Sequence, residues 1–195
     1  MASGVSETAI YNMVLDRLAE ESVLSTGDEK AVARWLNRNY PIQRDALLQR
    51  HTWNFAMKRA LLAELSNNPP EFEWSHKYQI PDDSLRVLPI TDDGTRNGRP
   101  MPYEVEGNYI LTNMSSPLKA RYIFRQENCA LFSPVFVDLL AQILASNFAH
   151  WLTGKASYAK QLQDLANNAF FEATRIDSLE GLPMEPVDND LIDVR

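Results

Sequence analysis

Three histidines are the side chains of this sequence best suited to bind a metal ion or to transfer protons. His51, His76 and His150 lie far apart in the sequence, on segments that differ in residue pattern. A metal site built from them would need the fold to bring them together, because none of the usual ligand spacings is present. We therefore expect structural or surface histidines, and we predict no metal ion and no cofactor.

The single cysteine, Cys129, precedes a predicted helix, where a thiol can become reactive. A small buried hydrophobic side chain is the interpretation that we favour. One cysteine cannot form a disulfide within the chain, so a disulfide-stapled secreted fold is excluded and synthesis in a reducing compartment fits.

Two acidic pairs, Asp82-Asp83 and Asp92-Asp93, fall in predicted loops. Such pairs could hold a cation or act as acid and base. Pro81 and Gly94 flank them, so turn formation explains them better. A glycine-rich phosphate loop, a nucleophile elbow and a paired-histidine helix are all missing from the sequence. The sequence therefore carries no recognisable signature of catalysis.

A predicted strand from Leu118 to Arg125 alternates apolar residues with a mostly basic face that carries Lys119, Arg121 and Arg125. This face could bind phosphate, could meet an acidic partner, or could simply be solvated. The acidic C-terminal tail offers a complementary segment, including that of a neighbouring copy.

Charge and length narrow the classes of function further. The chain has 195 residues, and 26 acidic against 19 basic residues give a net charge of -7. This balance argues against a protein that wraps nucleic acid with its whole surface, but not against one that DNA passes. The N-terminus has neither the basic nor the apolar region of a signal peptide, and no stretch approaches the roughly 20 apolar residues of a membrane span.

Helices are predicted at both ends of the chain. Ser6 can cap a helix that runs to about residue 19, and a second is expected from about Asp28 to Arg50 with a kink or short break at Pro41. Helix returns at Ser133-Pro134, and Ser157 is expected to cap the last one. Apolar residues at helical spacing predict the buried faces of these two C-terminal helices, among them Trp151, Leu165 and Leu179.

Between the helices, short runs of β-forming residues alternate with turn residues. Gly107-Asn108 separates two such runs and predicts a two-residue hairpin, while Thr91 to Pro100 is expected to be an exposed loop. Residues 55–65 fit either a strand or a helix, and their alternation favours the strand.

We therefore predict an α+β fold, in which a small antiparallel β domain is inserted into a discontinuous helical bundle. The expected boundaries are 1–65 and 128–180 for the bundle, 66–127 for the β domain, and 181–195 for an extended acidic C-terminal arm.

Four segments of the sequence resemble, in order and spacing, the head-to-tail adaptor (connector) proteins of phages, called tail tubular protein A in short-tailed phages. They cover much of residues 6–180. The segments are Arg44 to Ala56 with Lys58-Arg59-Ala60, Tyr78 to Leu88, Tyr103 to Arg125, and Phe132 to Gly154. The family often has proline where this chain has Thr52, and the tail after Gly181 matches only in character.

The resemblance implies a structural virion protein at the head-tail junction, or neck, made in the host bacterial cytoplasm. Family members form a ring, usually of twelve copies, between the portal protein and the tail tube or nozzle. The ring continues the channel through which genomic DNA passes without specific binding, and it helps to retain the packaged genome. No membrane is involved, and the family is not enzymatic.

This resemblance assigns expected contacts to particular residues. The C-terminal arm is expected to bind the portal through Val187, Leu191, Ile192 and Val194. Contacts with the tail partner or between subunits are expected at Asp92, Asp93, Arg96, Lys119, Arg121 and Arg125. Three alternatives stay open: a neck or head-completion protein of a long-tailed phage, a hydrolase in which Asp82, Asp83 and Asp92 meet a histidine, and a cellular helical adaptor without a ring.

Overall fold

The fold is α+β, as the sequence predicts, with helices before and after a β region. A computed structural model describes residues 4–154 and 156–180, so the C-terminal arm with its four expected portal-binding residues lies outside the described part. The helices are α1 (Glu7–Arg17), α2 (Ala31–Arg50), α3 (Pro134–Thr153) and α4 (Ala156–Ser178). The strands are β1 (Met57–Leu62), β2 (His76–Gln79), β3 (Ser84–Val87), β4 (Tyr103–Glu106), β5 (Tyr109–Thr112) and β6 (Leu118–Phe124).

The helix starts follow from local capping. Ser6 accepts a hydrogen bond from the Ala9 amide at 3.2 Å, and α3 begins at Pro134 directly after Ser133, as predicted. Helix α2 continues through Pro41, so the short break that we allowed for is not present. Helix α4 begins one residue before Ser157, which is therefore not its cap.

Helix α3 is the centre of the bundle and packs against α1, α2 and α4. Its apolar side chains, including Phe136, Leu140 and Phe148, are fully buried in a core shared with Leu36 of α2 and Ile10 of α1. The charge-poor sequence of α3 is explained by this coverage on most sides.

The strands form two antiparallel three-stranded sheets. The first has the order β1-β6-β3, and the second has the order β2-β5-β4. The predicted hairpin joins β4 to β5, and Gly107 at its turn has a φ of +57°, a conformation that glycine adopts without steric cost.

The β region begins earlier in the chain than the predicted boundary at residue 66. Residues 57–62 form β1, and all six of its residues pair with β6. The ambiguous segment is therefore a strand at its centre, as we favoured. Sequence position alone could not show that its partner is a strand some 60 residues later, because strand pairing is a tertiary contact.

Strand β6 does not have the solvated basic face that alternation predicts. Lys119 is exposed, but Arg121 is 91% buried and Ile123 lies in the bundle core. The opposite face, with Leu118 and Ala120, lies in a second, smaller core. The prediction failed because β6 is the central strand of its sheet and is covered on both faces.

Candidate functional site

The site region begins at the joint between α2 and β1, which a buried tryptophan fixes. Trp53 is fully buried, and its indole Nε1 donates to the Leu47 carbonyl oxygen at 3.0 Å. Its ring meets that of Phe136 edge to face, with 5.1 Å between centroids. These contacts hold the start of β1 against α3.

The end of α4 is tied to this joint through Asp177, a carboxylate that is 3% exposed. Its Oδ2 lies 3.1 Å from Nε2 of His51, and its Oδ1 accepts from the Asn54 amide at 3.2 Å. The Asn54 side chain donates to the Asp177 carbonyl oxygen at 2.7 Å. A buried carboxylate needs such partners, so this cluster is a structural clasp between segments more than 120 residues apart.

Beside the clasp lies a cavity of about 270 Å³ between the end of α4 and the β1-β6-β3 sheet. Arg121 and Arg96 supply its positive charge, and Asp177 and Ser178 form its wall on the α4 side. The remaining wall mixes apolar side chains, such as Leu88, with polar ones, such as Thr52. The cavity therefore combines an apolar surface with guanidinium groups, a combination typical of sites for small or extended ligands.

Arginines concentrate around Arg121. Arg59 on β1 is its direct cross-strand partner, and Arg96 lies on the neighbouring loop. Burial, followed by the charges of Arg59 and Arg96, lowers the pKa of Arg121 from its usual value. Like charges directly opposite each other destabilise a sheet, so this arrangement costs folding free energy that an anionic ligand would offset.

The predicted exposed loop from Thr91 to Pro100 closes through a bridge between these two residues. Asp93 accepts from the amide and hydroxyl of Thr95, and these hydrogen bonds lower the pKa of its carboxyl group. Asp92 accepts from the Asp93 and Arg99 amides. Both acids therefore serve the turn.

Five of the six residues predicted for tail-partner or subunit contact come together on this side of the sheet. Asp92, Asp93 and Arg96 share the loop, and the Lys119 ammonium donates to the Asp93 carbonyl oxygen at 3.1 Å. Arg121 follows on the same strand face.

Arg125 is separate from this group. Its Nε donates to Asp45 Oδ2 at 2.7 Å, and Arg44 donates to the other oxygen of Asp45 at 2.8 Å. Arg125 therefore fastens the sheet to α2.

Neither acidic pair meets a histidine among the described residues. Asp83 accepts from the Lys58 ammonium at 2.6 Å, and burial opposes but does not overcome the hydrogen bonds from Lys58 and Tyr122 that lower its pKa. His51 pairs with Asp177 and His76 with Glu64, while the side chain of His150 lies outside the described part. Within residues 4–154 and 156–180, no group of three or more potential ligands is arranged to hold a metal ion.

Cys129 is half-buried, and burial, with the charge of Glu7, raises the pKa of its thiol. A raised pKa favours the less reactive thiol form over the thiolate.

Large apolar side chains remain exposed on the hairpin of α3 and α4. The exposed fractions are 52% for Trp151, 51% for Leu165 and 71% each for Phe171 and Leu179. The predicted buried stripe is wrong for Trp151, Leu165 and Leu179. The described residues of one copy leave these side chains uncovered, and exposed apolar side chains that form a contiguous patch commonly mark a protein interface.

Two contributors to the site were missed in the sequence. Arg59 appeared there only as part of a motif, and Asp177 was not singled out at all. The cross-strand register could have identified Arg59 once the pairing of β1 with β6 was known. No local signal marks Asp177, because its partners lie on the other side of the β region.

Among the described residues, no helix has both the length and the apolar character needed to cross a membrane. A scan of the sequence against family models finds no matching family, and a search of curated proteins finds no matching protein.

Proposed function

We propose that the chain is a structural connector of a phage virion, a head-to-tail adaptor that forms a ring between the portal protein and the tail tube or nozzle. The observation that carries the proposal is the exposed apolar surface of α3 and α4, which a neighbouring subunit in a ring would cover. The sequence resemblance gives this surface its context. Copies of the chain, the portal and the tail protein are the proposed partners, and genomic DNA passes through the channel.

Further support comes from the use that the fold makes of its polar residues. The acids that an enzyme would need are engaged in turns and ion pairs, as for Asp92 with its loop and Asp83 with Lys58. His51 and His76 are each paired with a carboxylate, Asp177 and Glu64 respectively, in a structural contact. These roles fit a non-enzymatic structural protein. The net charge of -7 fits a channel wall that lets DNA slide.

Substitutions on α4 test ring formation. The double variant Leu165→Ser/Phe171→Ser removes apolar surface that is exposed in the single chain, so its fold should persist while its assembly on the portal fails. Leu24→Ser is the matched control, because Leu24 is 96% exposed and belongs to the connection between α1 and α2. Sedimentation of each variant with the portal measures assembly. Normal assembly of the double variant would contradict the proposed interface.

Removal of residues 182–195 tests the portal contact. The shortened chain keeps all helices and strands of the structure, so we expect it to fold but not to bind the portal. The full-length double variant Leu191→Asp/Ile192→Asp should behave in the same way. Portal binding that is unchanged in both variants would show that the arm is not the portal contact.

A further inference from the structure

Arg121 carries a buried charge for which the described part of the chain supplies no counter-ion. Its side chain is 91% buried, yet no described carboxylate forms an ion pair or hydrogen bond with it. The cations Arg59 and Arg96 are its charged neighbours, and Asp93 is the acid whose charge acts on it. The guanidinium of Arg121 has five N–H donors and no described acceptor, and the residue lines a cavity, so the arrangement indicates a place for an anionic ligand.

The cavity beside Arg121 gives that ligand a place. Arg121 and Arg96 line it together with the apolar side chains of Met57, Leu88 and Pro89. Asp177 also lines it, but both of its carboxylate oxygens are engaged, by His51 and by the Asn54 amide. A ligand that enters must therefore carry an oxyanion for the arginines and apolar groups for the opposite wall.

The sequence has a segment with this chemistry shortly after Ser178, a residue that lines the cavity. Ser178, the last residue of α4, lines the cavity, and the sequence continues with Leu182-Pro183-Met184-Glu185 and two further acids, Asp188 and Asp190. Glu185 follows Ser178 by seven positions, a reach of up to about 23 Å when extended. The order of apolar and acidic residues matches the apolar groups and arginines that line the cavity.

We propose that the cavity is a carboxylate-binding site and that its ligand is segment 182–190 of this chain, from the same copy or a neighbouring one. Acidic side chains of the segment pair with Arg121 and Arg96, while Leu182 and Met184 contact the apolar wall. The inference does not depend on portal binding, and it shares only Val187 with the expected portal contact.

Hydrogen exchange of the full-length chain, followed by mass spectrometry, tests the proposal. We expect amides of 182–190 to exchange about tenfold more slowly than in an unstructured peptide, as for a segment held by charge-assisted hydrogen bonds. Arg121→Gln should remove this protection. The triple variant Glu185→Gln/Asp188→Asn/Asp190→Asn should remove it too, and it decides the test if Arg121→Gln does not fold.

The matched control neutralises three exposed acids elsewhere, Glu29→Gln/Glu71→Gln/Asp164→Asn, and should leave the protection unchanged. Protection that persists on dilution assigns the segment to its own chain, and protection that falls on dilution assigns it to a neighbouring copy; either supports the site. Equal exchange of 182–190 in the wild-type chain and Arg121→Gln would overturn it. The proposal would also be overturned if added duplex DNA slowed the amide exchange of residues 119–123 equally in the wild-type chain and in the triple variant.

Discussion

The helical bundle and the β region solve the problem of stability in different ways. The bundle buries large side chains, such as Trp53, Phe132 and Phe148, in one extensive core. The β region has a much smaller core around Tyr78 and Ile110 and depends more on strand pairing, turns and ion pairs. Strand β6 belongs to both. The comparison shows that one region provides stability and leaves the other free to carry exposed charge.

The treatment of charge separates the regions further. Around the bundle, some cations are paired, as in Arg17 with Asp138 and Arg125 with Asp45, and on the sheet Lys58 is paired with Asp83. On the β sheet, Arg59, Arg96 and Arg121 form no ion pair with the described acids. Paired charges hold elements together, whereas a cluster of like charges is suited to bind a ligand of opposite charge. The cavity beside Arg121 lies where the two regions meet.

The largest expected effect is the loss of the bundle's central aromatic side chain. Trp53→Ala should lower the free energy of unfolding by about 3–5 kcal/mol, because it leaves a cavity and removes the bond to Leu47. Trp151→Ala is the control, since that side chain is 52% exposed. Denaturant unfolding measures both. Equal losses would refute the central place of the Trp53 core.

A smaller effect is expected from the clasp between the regions. Asp177→Ala leaves the Asn54 amide and His51 without their acceptor and should cost about 1–3 kcal/mol. Asp164→Ala, at an exposed position of the same helix, should change stability little. The same unfolding measurement applies to both variants. A loss no greater for Asp177→Ala than for Asp164→Ala would show that the clasp does not hold the regions together.

Two glycines test the turns of the β region. Gly107→Ala should cost about 1–2 kcal/mol of folding free energy, since alanine is strained at a positive φ. An added Cβ meets nothing within 4 Å, so no steric clash adds to this cost. Gly94→Ala should cost more, since its φ is +76° and the new Cβ would lie 2.6 Å from Cβ of Lys119. Thermal unfolding ranks the two variants. The reverse order would mean that loop 91–100 is not packed against β6.

The smallest effect concerns pH and the Lys58–Asp83 pair. The pKa of Asp83 is lower in the folded chain than its usual value of 3.8, so its contribution is complete above about pH 5 and is lost as pH falls through the folded pKa. Asp83→Asn should therefore flatten the acid limb of a stability-against-pH curve. Asp82→Asn, at an exposed position, serves as the control. Identical acid limbs in all three proteins would exclude a role for the pair.

Local features of the fold were predictable because their causes are local. The cap at Ser6, the start of α3 at Pro134 and the hairpin at Gly107 depend on residues within a few positions of each other. The buried face of β6 was not predictable, because the alternation of its residues says nothing about what covers each side. Lys119 and Arg121 occupy equivalent positions in the pattern, yet one is exposed and the other is buried.

The candidate site could likewise be predicted only where its residues show a local pattern in the sequence. The sequence pointed to Arg96, Lys119 and Arg121, which the fold does bring together, and also to Arg125, which instead pairs with Asp45. The cavity itself depends on the approach of α4 to the sheet through Asp177. Asp177 contacts Asn54, which lies 123 positions earlier in the sequence, and such a contact produces no pattern in the spacing of nearby residues.

Electron microscopy of the purified chain mixed with its portal tests the central claim most directly. The connector proposal predicts a ring of the chain stacked coaxially on the portal, and it predicts that Leu165→Ser/Phe171→Ser abolishes the ring while Leu24→Ser does not. A chain that stays monomeric beside an unoccupied portal would contradict the proposal.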